Sequence, residues 1–300
     1  MDKYIGKVLD GRYEILEVLG VGGMSVVWKA WHTERKEFVA VKVLNDESSK
    51  SGGDIRQFMQ ESRAIMGLNH PGIVRAYDAD CIDGQYFYVM ELMDGYTFND
   101  YIIKKHILPE GDVLIITQTI ADALAYAWNS SKILHCDIKP DNIMVNMSGE
   151  VKLSDFGLCE LSFLDSAVLP GSEDQITGTP EYMSPEQIIG TEKLDCRTDI
   201  YSLGASLYHL LTRRTLFDLP TPEEIIQSHI DPLKQAEDPR LYNSSLSSGI
   251  VALMERMLAK ERDERYSSWE EVMIDAKTVE ESGTLPRPDK NLVSSIRVLF

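Results

Sequence analysis

The chain has 300 residues, longer than a typical single-core domain, so one large domain in two lobes or two small domains is expected. A composition of 43% hydrophobic and 26% charged residues with 12 prolines excludes a disordered or fibrous chain and describes a folded globular protein. A net charge of −18 argues against nucleic acid or anionic membrane as the main partner, because binding a phosphate backbone needs clustered Lys and Arg; basic partners fit better.

In chain order, the N-terminal MDKYIGKVLDGRYEIL lacks the apolar stretch of a signal peptide. RYEILEVLG and MSVVWKAW then flank a glycine turn, and EFVAVKVL and YFYVMEL are β-branched or aromatic runs of strand length. One helix interrupts them at about 54–68, after NDESSKSGG. It has Ile55, Phe58, Met59, Ser62, Ile65 and Met66 at helical spacing and Asp54 as its candidate cap. After MDG at 93–95 the pattern turns helical, with long helices expected at 110–130, 197–213 and 249–260. The most apolar long segment, 113–128, is interrupted by Thr117, Gln118, Thr119 and Asp122, so no membrane span is expected. HCDIKPDNIMV and EVKLSDFG suggest short strands and loops. Residues 158–183 show no periodicity, as in a functional or mobile loop, and VEESGTLPRPDKNLVSSIRVLF suggests a tail or linker. Cysteines at 81, 136, 159 and 196 form no CxxC pair, which suggests neither a zinc site nor a disulfide framework and implies a reducing cytosol.

Several of these stretches carry chemistry. LGVGGMSVV places Gly20, Gly22 and Gly23 in a turn between strands, where backbone N–H groups can approach a phosphate closely; by itself it is equally well an ordinary glycine-rich hairpin. No helix follows, which argues against a dinucleotide-binding fold. Lys42, on a strand with apolar neighbours, calls for an anionic partner, and Glu61 is the candidate; taken alone, Glu61 is as readily a surface glutamate. In HCDIKPDN, Asp137 can accept a proton from a hydroxyl, Lys139 can neutralise a phosphoryl oxygen and Asn142 can hold a metal ion. Asp155 of DFG adds a carboxylate suited to Mg²⁺.

In this order and at these spacings the chain resembles the eukaryotic-like (Hanks-type) protein kinases over about residues 10–276, and LGVGGMSVVWKA, HPGIVRAYD and GTPEYMSPEQ look most similar to the bacterial serine/threonine branch. The resemblance implies an α+β, bilobal protein-kinase fold. Residues 1–93 would form an N-lobe antiparallel β-sheet with one helix, residues 94–276 a mainly α-helical C-lobe, and residues 277–300 a C-terminal tail or linker. It also implies ATP and two Mg²⁺ ions as cofactors and protein substrates at a cytoplasmic location. Gly20, Val21, Gly22 and Gly23 would cover the nucleotide phosphates, and Lys42, positioned by Glu61, would hold the α- and β-phosphates. Val27, Ala40 and Met144 would sandwich the adenine, the backbones of Glu91 and Met93 would bond its edge, and Met90 would guard the back pocket. Asp137 would orient and deprotonate the substrate hydroxyl, Lys139 would stabilise the transferred phosphoryl, and Asn142 with Asp155 would hold the metal. Glu186 would pair with Arg265, and Asp199 would hold the catalytic-loop backbone.

The sequence departs from the family pattern at three places. Ser25 replaces the third glycine, SPE replaces APE, and Cys136 replaces the arginine usual before the catalytic aspartate. A thiol cannot gather a loop phosphate as a guanidinium does, and the segment from Asp155 to Glu186 contains no Lys or Arg. Phosphorylation at Ser172, Thr177 or Thr179 is therefore not expected to be the switch, and control is expected from a partner, dimerisation or the tail. Thr179 is expected to contact Asp137 and Lys139, and Cys136 to be a small buried packing residue. Asp141 is expected to favour substrates with upstream basic residues. The alternative activity is a pseudokinase-like ATP-binding scaffold, against which Lys42, Asp137 and Asp155 all remain. A small-molecule kinase would lack the GTPEYMSPEQ stretch.

Overall fold

The computed structural model describes residues 4–104, 107–156, 179–190 and 193–285. Gly157, Cys159, Ser172, Thr177 and residues 286–300 of the tail lie outside them. The N-terminal lobe is a six-stranded antiparallel sheet of β1 (Val8–Leu9), β2 (Tyr13–Val21), β3 (Ser25–His32), β4 (Glu37–Leu44), β5 (Ala76–Ile82) and β6 (Gln85–Glu91). Its spatial order is β1-β2-β3-β4-β6-β5. β5 escapes a search for apolar alternation because AYDADCI is an edge strand carrying two aspartates and has no fully buried residue.

The two-residue period of a strand divides the sheet into two faces. Val39, Val41 and Val43 of β4 turn to a core with Tyr13, Ile15, Trp28, Ala30, Phe87 and Val89. Ala40 and Leu44 turn the other way, with Tyr88, Met90 and Phe58 of helix α1. Each large aliphatic side chain so buried contributes about 1.5–3 kcal/mol. Lys42 shares the alternation of Ala40 and Leu44, so its position on the strand delivers it to the helix side.

Helix α1 runs Gly52–Met66. The cap is Ser51 and not Asp54: the Ser51 side chain accepts the Asp54 N–H, and Asp54 accepts the Ser51 hydroxyl in return. Replacing Ser51 by Ala should cost about 1 kcal/mol. Phe58, Glu61, Ser62 and Ile65 are buried, whereas Met66 is exposed at the last turn.

The C-terminal lobe contains α2 (Phe98–Ile103), α3 (Glu110–Ser131), α4 (Pro185–Ile189), α5 (Cys196–Thr212), α6 (Pro222–Ile230), α7 (Ser248–Met257) and α8 (Trp269–Ser282). The expected long helices are α3, α5 and α7. α2 and α4 are too short to show a period, and α8 buries only Trp269, Val272, Ala276 and Val279 of an otherwise polar run. Ser184, the first residue of SPE, caps α4 through a reciprocal box with Gln187, so serine is a stronger choice there than alanine. A three-stranded sheet of β7 (Gly95–Thr97), β8 (Ile143–Asn146) and β9 (Val151–Leu153) lies at the junction of the lobes. A Cβ on Gly95 would stand 1.9 Å from the Val145 carbonyl oxygen, so only glycine fits where the chain leaves the first lobe. Among the described residues no helix is long and apolar enough to cross a membrane.

Candidate active site

The strands and α1 converge on an ion pair. Lys42 Nζ lies 2.6 Å from Glu61 Oε1 and 2.9 Å from Asp155 Oδ1, which joins the first lobe to the strand end of the second. Burial favours a neutral Lys42, but Asp155, Tyr88 and Glu61 outweigh it and hold the ammonium well above its ordinary pKa. Burial likewise pushes the Asp155 carboxyl up, and Lys42 more than reverses this, leaving it below the usual carboxylate range. Glu61 goes the other way: burial raises its pKa despite Lys42.

The loop HCDIKPDN is fixed from both sides. Asp199 of α5 accepts the backbone N–H groups of His135 and Cys136, each at 2.8 Å. His135 Nδ1 accepts the Asp137 N–H, so its Nε2 carries the proton and donates to the Ser154 carbonyl at 2.8 Å. Asn142 donates to the Asp137 carbonyl at 2.8 Å and to Asp137 Oδ2 at 3.2 Å. Ser154 N–H returns to the Asn142 carbonyl at 2.9 Å, which brings Asn142 beside Asp155 although the two are 13 positions apart.

Asp137 and Lys139 form a pair at 2.6 Å that holds a hydroxyl. Thr179 Oγ1 donates to Asp137 Oδ1 at 2.9 Å and accepts from Lys139 Nζ at 2.6 Å. This is the contact expected of Thr179. Glu186 and Arg265 also meet, with both guanidinium Nη atoms donating to the two carboxylate oxygens at 2.7 and 3.0 Å. Burial raises the Glu186 pKa, but the Arg265 bonds prevail and lower it.

The glycine turn stands open. A Cβ on Gly20 or Gly23 would meet nothing within 4 Å, while Gly22 is drawn in by its N–H bond to the Ser25 carbonyl. Val21 closes β2 and is exposed, whereas Ser25 is buried. Beneath the turn, Ala40, Met90 and Met93 are buried in one cluster, with Val27 and Met144 packed against it. Glu91 follows, its N–H donating to the Arg75 carbonyl and its carboxylate bound by Lys152 Nζ at 2.5 Å.

Among the described residues no three His, Cys, Asp or Glu side chains converge as a metal cluster. Asn142 and Asp155 offer one amide and one carboxylate. That sparse, all-oxygen donor set suits Mg²⁺, which keeps several waters and takes its remaining ligands from substrate phosphates.

Two features lay outside the sequence reading. Tyr88 donates its hydroxyl to Glu61, and Lys152 ties β9 to Glu91; both read in the sequence only as ordinary strand residues. Cys136 is buried as expected.

Residues 13–276 match the protein kinase domain family. The chain is 36% identical over 275 residues to a probable serine/threonine-protein kinase of Clostridium perfringens, covering 92% of this chain and 39% of that protein. It is 35% identical over 279 residues to serine/threonine-protein kinase PrkC of Bacillus subtilis, covering 91% of this chain and 41% of that protein. The chain thus spans about two fifths of the length of these curated relatives. The crystal structure of the Mycobacterium tuberculosis PknI kinase domain superposes with a TM-score of 0.72 at 26% identity, covering 93% of this chain and 98% of that one.

Proposed function

The chain belongs to the protein kinase family, and on that premise we propose that it transfers the γ-phosphoryl group of Mg·ATP to serine or threonine hydroxyls of proteins. The observation that carries this reading is the Thr179 hydroxyl lying between Asp137 and Lys139. The pair can bind an aliphatic hydroxyl with a carboxylate accepting its proton and an ammonium beside the oxygen, as a general base and a charge stabiliser must.

Each residue has a defined part in the reading. Asp137 orients the substrate hydroxyl and accepts its proton, while Lys139 stabilises charge on the moving phosphoryl. Lys42, held by Glu61, grips the α- and β-phosphates under the turn of Gly20, Val21, Gly22 and Gly23. Val27, Ala40 and Met144 enclose the adenine, Met90 closes the space behind it, and Met93 offers its backbone. The Glu91 N–H is already taken, so Glu91 would meet the adenine through its carbonyl. Asn142 and Asp155 would hold two Mg²⁺ ions, which neutralise phosphate charge when bound.

Substrates with basic residues near the target hydroxyl fit the surroundings. Asp141, Glu181 and Asp218 lie within electrostatic reach of Tyr182 and His209, beside the catalytic loop. An ATP-dependent activity on such proteins belongs in the cytoplasm. Control falls to a partner, dimerisation or the tail, because neither Cys136 nor the charge of the 155–186 segment supplies a phosphate-binding cation.

The test is transfer from Mg·ATP to a basic peptide by the chain and by Asp137→Asn. We expect transfer by the first and a loss of roughly a thousandfold or more in the second. Nucleotide binding without transfer by the unsubstituted chain would establish the alternative, an ATP-binding scaffold.

A further inference from the structure

Lys42 and Tyr88 are directly opposite each other in the antiparallel register of β4 and β6. Opposed residues project from the same face of a sheet, so both side chains reach the side on which α1 packs. Tyr88 is fully buried there. Its hydroxyl donates to Glu61 Oε1 at 2.5 Å, the same oxygen that accepts from Lys42 Nζ at 2.6 Å. Its ring centroid lies 5.3 Å from that of Phe58 and 5.7 Å from Lys42 Nζ. Phe58 and Glu61 are three residues apart and so occupy one face of α1. One side chain thus grips the helix at two adjacent points, once by packing and once by a hydrogen bond.

The Glu61 carboxylate needs the second donor. It is buried, burial disfavours its charged form, and a buried carboxylate with one partner tends to neutralise or move out to water. An aliphatic residue at position 88 would fill the same space and offer no donor. We propose that Tyr88 is a positioning residue of the transfer site, docking α1 through Phe58 and Glu61 so that the Lys42–Glu61 pair stands formed in the unphosphorylated chain. This rests on the kinase reading above. It also supplies what the loss of an arginine at position 136 leaves open, a means of holding the site together that needs no loop phosphate.

The decisive comparison uses the fully dephosphorylated 300-residue chain carrying Tyr88→Phe, Glu61→Gln, or both. Loss of the hydroxyl should lower kcat by roughly tenfold or more, since bonds to charged groups are the strong ones. The KM for ATP should rise severalfold while the KM for the peptide stays put. A merely structural tyrosine predicts otherwise, because partial unfolding lowers the active fraction and leaves both KM values alone. In the Glu61→Gln background, Tyr88→Phe should cost no more than about twofold, as expected of partners acting through one contact. Phe58→Leu, which keeps the hydroxyl and loosens the ring contact, should shift the KM for ATP in the same direction.

Kinetics of Tyr88→Phe within twofold of the unsubstituted chain, or losses that multiply in the double variant, would overturn the proposal. An unsubstituted chain that transfers no phosphate would sink the kinase reading instead. In that case hydrogen exchange of the α1 amides decides the docking: rates at least tenfold faster in Tyr88→Phe support it, and unchanged rates overturn it.

Discussion

The carboxylate of Asp199 accepts the backbone N–H of Cys136 at 2.8 Å, and Cys136 stands in the left-handed region at φ 61°. A side-chain-bearing residue there costs about 1–3 kcal/mol and persists only where its surroundings enforce it. Asp199 does so from a fully buried position, taking the His135 N–H as well. Asp199→Asn would aim an N–H₂ group or a single oxygen at two donors. We expect it to lower kcat/KM by about a hundredfold and stability by about 1–3 kcal/mol. Unchanged turnover with intact folding would show that the loop keeps its shape unaided.

Lys42→Met and Asp155→Asn should both abolish transfer, yet differ in stability. Methionine at position 42 leaves the buried Glu61 with Tyr88 alone, and breaking a buried pair from one side costs about 3–5 kcal/mol. Asp155 is only partly buried, with 39% of its side chain exposed against 8% for Glu61, so its amide would disturb less. Urea melts should therefore separate two variants that activity assays cannot. Equal stabilities would mean that breaking the Lys42–Glu61 pair costs folding no more than removing the Asp155 charge.

Burial, with Lys260 nearby, lowers the pKa of His229 to about 3. In the unfolded chain the same imidazole titrates near about 6.5. Between those values the unfolded state binds a proton that the folded state refuses, so stability rises with pH across the window. It is complete above the unfolded value and is lost as pH falls toward about 3. The slope should be about 1.4 kcal/mol per pH unit from this residue between pH 4 and 6. His229→Gln should remove that share while keeping a partner for the Tyr201 hydroxyl, which lies 2.8 Å from His229 Nδ1. His209, also lowered by burial, should leave a residual slope. Melts at several pH values report the difference, and an undiminished slope in the variant would rule out His229 as its source.

Loop phosphorylation should change activity little. Thr179 is occupied by Asp137 and Lys139, and a phosphate on it would meet the Asp137 carboxylate. The dephosphorylated and autophosphorylated chains should differ by less than about tenfold in kcat/KM on an added peptide, too small a change for a switch built on new charge-assisted bonds. Activation of a hundredfold that maps to Ser172, Thr177 or Thr179 would reverse this conclusion.

Much of the site is legible in the sequence because its signals are local or fixed in order. The glycines of LGVGG, Lys42 on an apolar strand, HCDIKPDN and DFG are each a few residues of distinctive chemistry, and their succession points to the fold and to the class of reaction proposed above. The alternation in EFVAVKVL even tells which neighbours Lys42 shares a face with. The sequence does not tell that Tyr88 would stand across from Lys42, that Lys152 would reach Glu91, or that Gly95 would press on Val145. Those relations depend on strand register and on helix docking, which join residues tens of positions apart. They leave no periodic mark, because a tyrosine in a strand looks the same whether its hydroxyl meets water or a buried carboxylate. Sequence alone determined which groups could do the chemistry, and tertiary packing decided which others hold them in place, because only packing sets distances between segments that the chain itself leaves free.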